Sequence, residues 1–174
     1  MSTLSDTAAA TAAPVPSAER QGASFDLPFE TFFGGGLGGS AVALFFLVLD
    51  GLQGQPLYTP SLLGTALFTE QAATTVTQVH VDMVAYYSLI HFAAFGACAA
   101  SLSWMRARST ILQQRPLLVA GLAFALLTLG LMIADAVLMS GVVAAIGIVP
   151  ILGANAAAGL TIAAFFRWAR RQVT

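Results

Sequence analysis

The chain has 174 residues, of which 57% are hydrophobic and only 9% are charged. Soluble domains carry about 25% charged residues, and a soluble fold of this length could not bury so much apolar surface. The composition therefore excludes an ordinary soluble domain and predicts an all-α membrane protein. The seven basic residues are all arginines, and six of them lie near predicted helix ends. They form no basic stripe, which excludes a nucleic-acid partner.

The N-terminal residues 1–31 differ from the rest of the chain. They are rich in Ala, Ser, Thr and Pro, with scattered acidic residues. The segment lacks the basic start and apolar centre of a signal peptide. We therefore expect a flexible polar tail over 1–31. A second, short tail is expected over 169–174.

The first predicted span covers residues 32–52 and opens with a glycine-rich run. Small residues four apart let membrane helices approach closely. That spacing is shared by the pairs Gly34 and Gly38, Gly35 and Gly39, and, in the last span, Gly153 and Ala157. These residues predict close helix packing, either inside the chain or against another membrane protein.

The segment after this span, residues 53–78, is too polar and broken to cross a membrane. Thr59 followed by Pro60 indicates a helix start, with a capping hydroxyl and proline at the first helical position. The apolar stretch 61–68 that follows is too short to span. We expect it to form a short interfacial or re-entrant helix.

Three further spans complete the predicted architecture, over residues 79–104, 116–139 and 141–168. A tight turn near Ser140 and Gly141 joins the last two, and Pro150 is expected to kink the final span. The sequence thus predicts a single transmembrane domain over 32–168. Its fold class is a polytopic four-helix bundle with one short additional helix.

The orientation follows from the positions of the arginines. Six of the seven lie after the second span or at the C-terminus. The positive-inside rule places both regions, and hence both termini, in the cytoplasm. Lysine is absent while alanine and arginine are abundant, which is typical of a high-GC bacterial genome. We therefore expect a multi-pass protein of the bacterial inner membrane.

Polar residues at membrane depth are costly, so each is a candidate for function. The candidates are Asp50, His80, Asp82, Tyr87, His91, Asp135 and Asn155. Helix rise, about 1.5 Å per residue, places most of them in the outer half and His91 near the midplane. His80, Tyr87 and His91 share one face of the second span, which could face Asp50 and Asp135.

Four interpretations of this set remain open. His80 and Asp82, with Asp50 or Glu70, offer ligands for a metal. His91 could be the axial ligand of a haem or pigment. Asp50, Asp135 and His91 could relay protons or ions. Finally, the polar groups could only link helices, as they commonly do in membranes. Neither a Walker-type phosphate loop nor a nucleophile elbow is present, so no catalytic residue is predicted.

Three stretches carry a resemblance: Leu-Val-Leu-Asp at 47–50, Pro-Leu-Tyr-Thr-Pro-Ser-Leu-Leu-Gly-Thr-Ala-Leu-Phe at 56–68, and His-Phe at 91–92. They resemble a loose group of small, uncharacterised four-helix bacterial integral membrane proteins. The resemblance covers the first two spans and implies the architecture without an activity.

The function predicted from the sequence is that of a non-catalytic accessory subunit of a larger membrane assembly, such as a respiratory or photosynthetic one. The expected partners are the lipid bilayer and other membrane subunits or further copies of the chain. The alternative is a small protein that handles a ligand, haem or ion through His91, Asp135 and Asp50.

Overall fold

The computed structural model describes residues 27–69, 71–138 and 141–171, and within these ranges the regular structure is helical. Four helices are long and apolar enough to cross a membrane, namely Leu27–Leu52 (α1), Val81–Arg108 (α3), Pro116–Val137 (α5) and Ile148–Arg171 (α7). The same ranges contain three short α-helices, Tyr58–Phe68 (α2), Thr110–Gln114 (α4) and Val142–Ile146 (α6), and a 3-10 helix over Ala73–Thr75. The predicted all-α architecture with four membrane-length helices is confirmed.

Two predicted tail boundaries differ from the observed helix ends. Helix α1 begins at Leu27 and contains a π-helical turn over Glu30–Gly34, so the end of the predicted 1–31 tail is helical. Glu30 joins the helix because its carboxylate has two buried partners on α3, Ser103 and Arg106. Helix α7 continues to Arg171, into the predicted 169–174 tail. The remaining tail residues, 1–26 and 172–174, lie outside the described residues.

Glycines bring the long helices into backbone contact inside the chain. A Cβ atom on Gly35 of α1 would lie 2.7 Å from the Cα of Gly96 on α3, so only glycine permits this approach. A Cβ on Gly159 of α7 would lie 2.6 Å from the carbonyl oxygen of Ala120 on α5. The other glycines predicted to pack also face side chains of this chain, namely Gly34, Gly38, Gly39 and Gly153. Ala157 is half-buried.

All four long helices, α1, α3, α5 and α7, contribute residues to the main apolar core. Its fully enclosed members include Ala99, Leu102, Ala123, Ile162 and Phe166. Helix α5 packs extensively along α7 but only sparsely against α3. The uneven packing leaves a cleft between α3 and α5.

Helix α2 runs alongside the first turns of α3 in the same direction. Three contacts step along both helices at nearly constant spacing: Ser61 with His80, Gly64 with Met83, and Phe68 with Tyr86. The apolar face of α2 is buried, with Leu62 fully enclosed. Within the predicted 53–78 segment, α2 is therefore packed against α3.

The break in the last predicted span precedes Pro150. Gly147 has a positive φ of 88° and ends α6, and α7 begins at the next residue. Pro150 therefore lies in the first turn of α7, where a backbone N–H lacks a helical partner in any case. The prediction of a kink at Pro150 is wrong, because the chain bends at Gly147. Of the predicted turn, Gly141 has a φ of 96° and Ser140 lies outside the described residues.

The charged residues separate along the helices. The carboxylate end is the end that carries Asp50, Asp82 and Asp135. The arginine end is the opposite end, which carries Arg106, Arg108, Arg115, Arg167, Arg170 and Arg171. The charged side chains have different kinds of partner at the two ends. The candidate site lies between the two ends.

Candidate functional site: a cleft between two long helices

Asp50 connects the end of α1 to the start of α2. One carboxylate oxygen accepts the backbone N–H of Thr59 at 2.7 Å, and the other accepts the Thr59 hydroxyl, also at 2.7 Å. The side chain of Asp50 thus satisfies a donor in the first turn of α2 and complements the helix dipole. Thr59, predicted to be the cap, instead donates to the residue that performs this role.

Asp135 performs the same task at the end of α5. Its carboxylate accepts the backbone N–H of Val142 at 2.7 Å and that of Val143 at 3.4 Å. These donors open the short helix α6, so the carboxylate is its cap. Asp50 and Asp135 are therefore each directed at a short helix, and neither is bonded to His91.

His80 and Asp82 lie at the start of α3 and are exposed. The backbone N–H of His80 donates to the Ser61 hydroxyl at 2.7 Å, and Asp82 occupies the first turn of α3, where its charge favours the helix dipole. Among the residues that the structure describes, no three His, Cys, Asp or Glu side chains are grouped to hold a metal. Glu70, the fourth predicted metal ligand, lies outside them.

His91 is buried, and both of its ring nitrogens face protein atoms. Nε2 lies 2.9 Å from the carbonyl oxygen of Gly39 on α1, and Nδ1 lies 3.4 Å from the hydroxyl of Tyr87. A carbonyl oxygen only accepts, so Nε2 carries the proton and Nδ1 of the neutral ring accepts from Tyr87. An axial bond from His91 to a haem would require one of these contacts to break.

Asn155 connects α7 to α5 and is also buried. Its side-chain amide donates to the hydroxyl of Thr128 at 3.1 Å. This bond satisfies a polar group at the depth where unsatisfied groups are costly, and it links two helices that pack closely.

The cleft between α3 and α5 has a volume of about 460 Å³ and contains part of the predicted site. Of the candidate residues, Tyr87, His91 and Asn155 line it, whereas Asp50, His80, Asp82 and Asp135 do not. The remaining lining is mainly apolar and comes from several helices. It includes Phe46, Leu67, Ile90, Ala94, Leu126 and Leu131.

Gly130 lies on the α5 side of the cleft, with no atom within 4 Å of the position that a Cβ would take. Ligand pockets in proteins are commonly about 300–1,000 Å³, apolar, and supplied with a few polar groups. The cleft has these properties and is bounded by long apolar helices.

A second polar cluster lies at the arginine end and was not predicted. Glu30 of α1 accepts a hydrogen bond from the Ser103 hydroxyl and pairs with Arg106 at 3.3 Å, all three being buried. The guanidinium of Arg106 also lies over the ring of Phe166 at 4.4 Å. Ser103 and Arg106 are three apart on one helix, which is a visible signal, but nothing in the sequence pairs them with Glu30.

No known protein family, curated protein or solved structure matches this chain.

Proposed function

We propose that this chain binds an elongated apolar molecule in the cleft between α3 and α5 and catalyses no reaction on it. The cleft itself carries the proposal: about 460 Å³ of space, bounded by apolar side chains, with few polar groups. Such space at membrane depth favours an acyl or isoprenoid chain, because apolar side chains form most of its lining and offer few polar partners.

Tyr87 is the group best placed to meet the polar end of the ligand. Its contact with Nδ1 of His91 is long, at 3.4 Å, where hydroxyl hydrogen bonds are usually about 2.7–2.8 Å. The hydroxyl can therefore turn to a carbonyl or hydroxyl oxygen of the ligand while the Gly39 bond holds the His91 ring. The proposed ligand is thus an apolar chain with one hydrogen-bonding oxygen.

The placement of the carboxylates supports a binding role over an acid–base one. General acid–base chemistry needs a titratable group within hydrogen-bond reach of the reacting atoms. Asp50 and Asp135 are occupied as caps of short helices and do not line the cleft. The predicted ion path through these two residues and His91 has no support from their positions.

We also propose that the chain forms a four-helix bundle in a bacterial inner membrane. The positive-inside rule puts the arginine end in the cytoplasm. Trp104 and Trp168 both lie near that end and are half exposed, as expected for residues at the membrane interface. Because α2 follows the first turns of α3, we place it partly inside the bilayer as a re-entrant helix.

Identification of apolar molecules that co-purify with the protein tests this function. The full chain is purified in a mild detergent, extracted with organic solvent and examined by mass spectrometry. We expect close to one apolar molecule per chain. Gly130→Phe, which fills the cleft, should lower this amount several-fold. Gly121→Phe is the matched control, because Gly121 is also open and on α5 but does not line the cleft. Equal retention by both variants would contradict the proposal.

A separate groove between α1 and α3 favours a second candidate function, that of an accessory subunit. A cavity of about 700 Å³ lies along the surface between α1 and α3. Gly36 and Ser40 line it four residues apart, and Gly36 has open space beside it. Small residues at this spacing commonly receive a helix. The occupant that fits is a transmembrane helix of another membrane protein.

Native electrophoresis of gently solubilised membranes tests this second candidate. A subunit migrates in a larger complex, and Gly36→Leu should release it. Gly51→Leu is the control, since Gly51 is equally open on α1 but does not line the groove. Migration of the unmodified chain as a monomer would remove the subunit hypothesis and leave ligand binding as the function.

A further inference from the structure

A cavity of about 400 Å³ lies at the arginine end, between α3, α4, α5 and α7. Four arginines line it: Arg106, Arg167, Arg170 and Arg171. Apolar residues form another part of its lining, with Leu112, Val119 and Phe166 among them. The cavity therefore offers both guanidinium groups and an apolar surface.

Two of these arginines are held in place by the protein. Arg106 is buried, pairs with Glu30 at 3.3 Å and lies over Phe166. Arg170 donates to the carbonyl oxygen of Gln113 at 2.6 Å, and the Gln113 amide donates to the carbonyl oxygen of Arg106 at 2.9 Å. The loop helix α4 is thus fixed between α3 and α7, which reduces the reorganisation needed on binding.

Arg167 and Arg171 are exposed and lie one helical turn apart, so their side chains share a face of α7. Of the acidic residues that the structure describes, only Glu30 lies at this end, against six arginines. The cavity therefore has a strong excess of positive charge, even after the Glu30–Arg106 pair is allowed for.

Two tryptophans indicate the depth at which the cavity lies in the membrane. Trp104 on α3 and Trp168 on α7 are next to the arginine positions, and tryptophan is enriched where headgroups meet acyl chains. A lipid phosphate lies at this depth in the bilayer, and the adjoining acyl chains lie against the apolar helix faces.

We infer that this cavity binds the phosphate headgroup of an anionic phospholipid. Guanidinium groups bind phosphate oxygens through paired hydrogen bonds, and basic pockets between membrane helices recognise anionic headgroups. The phosphate contacts Arg167, Arg170 and Arg171, and the glycerol and upper acyl region contacts Leu112 and Phe166. The apolar wall is the reason for a lipid over free phosphate. This inference does not depend on the α3–α5 cleft.

Native mass spectrometry of the full chain in mild detergent tests the inference. Phosphatidylglycerol and phosphatidylcholine with identical acyl chains are added separately. The unmodified protein should bind phosphatidylglycerol at about tenfold lower concentration, since arginines near a headgroup contribute several-fold each. The double variant Arg167→Gln/Arg171→Gln should lose this preference. The double variant Arg108→Gln/Arg115→Gln removes equal charge at the same end, outside the cavity, and should retain it.

Any of three results would overturn the inference. If both double variants lose the preference equally, or neither loses it, the cavity does not recognise the lipid. A third arm adds millimolar inorganic phosphate to the phosphatidylglycerol complex. Retention of the lipid supports recognition of the whole headgroup and acyl region. Complete displacement by phosphate would show a site for the free anion. Both double variants change exposed side chains. The comparison of the two lipids and the phosphate arm use the unmodified protein, so the test does not depend on a variant that fails to fold.

Discussion

The carboxylate end and the arginine end both concentrate charge, but they satisfy it in different ways. At the carboxylate end, Asp50 and Asp135 accept backbone N–H groups at the starts of short helices. At the arginine end, one carboxylate, Glu30, is paired with Arg106, and other arginines line a cavity. A polar residue near the end of a membrane helix can thus be satisfied by backbone N–H groups as well as by an opposite charge.

The largest expected effect is on the buried pair at the arginine end. Arg106→Met leaves the Glu30 carboxylate without its guanidinium, and the two side chains are only 4% and 9% exposed. Removal of one partner of a buried pair costs about 3–5 kcal/mol. Thermal unfolding of the purified protein in detergent measures the loss.

A double-mutant cycle with Glu30→Gln sharpens this prediction. The double variant should be less destabilised than the sum of the two single variants, because no uncompensated charge remains. Arg108→Met, at an exposed position of the same end, serves as the control. If the losses of stability are additive, or if the control loses as much stability, the Glu30–Arg106 pair has no special role.

The next effect concerns the close approach of α1 and α3. Gly35→Ala places a Cβ 2.7 Å from backbone atoms of Gly96, which cannot move aside as a side chain can. Overpacking of this kind costs about 1–3 kcal/mol. Gly36→Ala, at the adjacent open position, should change the free energy of unfolding by less than about 0.5 kcal/mol. Equal tolerance of both alanines would show that the helices meet differently.

Removal of the caps at the carboxylate end should have a smaller effect. Asp50→Ala and Asp135→Ala each lose two hydrogen bonds to the start of a short helix, at a cost of about 0.5–2 kcal/mol. Asp82→Ala, at an exposed position, should be near neutral. Thermal unfolding gives the stabilities, and co-purified apolar ligand should remain in all three. Loss of ligand in Asp50→Ala or Asp135→Ala without loss of stability would show that these residues belong to the binding site.

The sequence identified the features that depend on composition and short-range spacing. Four apolar runs predicted four membrane-length helices, and the four-residue spacing of Tyr87 and His91 predicted their shared face, where the structure shows them in contact. The Thr59–Pro60 signal placed the first residue of α2 at Pro60, two residues after its observed start at Tyr58.

Other features depend on contacts between distant residues. Asp50 and Thr59 were both recognised, but their bond requires α1 and α2 to meet at an angle that spacing does not specify. Glu30 falls in the predicted tail because residues 1–31 are rich in Ala, Ser, Thr and Pro with scattered acidic residues, and nothing in the sequence pairs it with Arg106. The cleft exists because α5 packs on α7 and diverges from α3, and hydropathy carries no information on such divergence.

Photolabelling can show whether the α3–α5 cleft holds an apolar molecule. The unmodified chain in lipid vesicles is irradiated with a diazirine-bearing fatty acid, and the adducts are mapped by mass spectrometry. Adducts should concentrate on cleft residues such as Ile90, Ala94 and Leu126. They should be sparse on Leu129 and Leu160, which are exposed but do not line the cleft. Labelling spread evenly over all exposed apolar residues would contradict a bound ligand and show only ordinary contact with the bilayer.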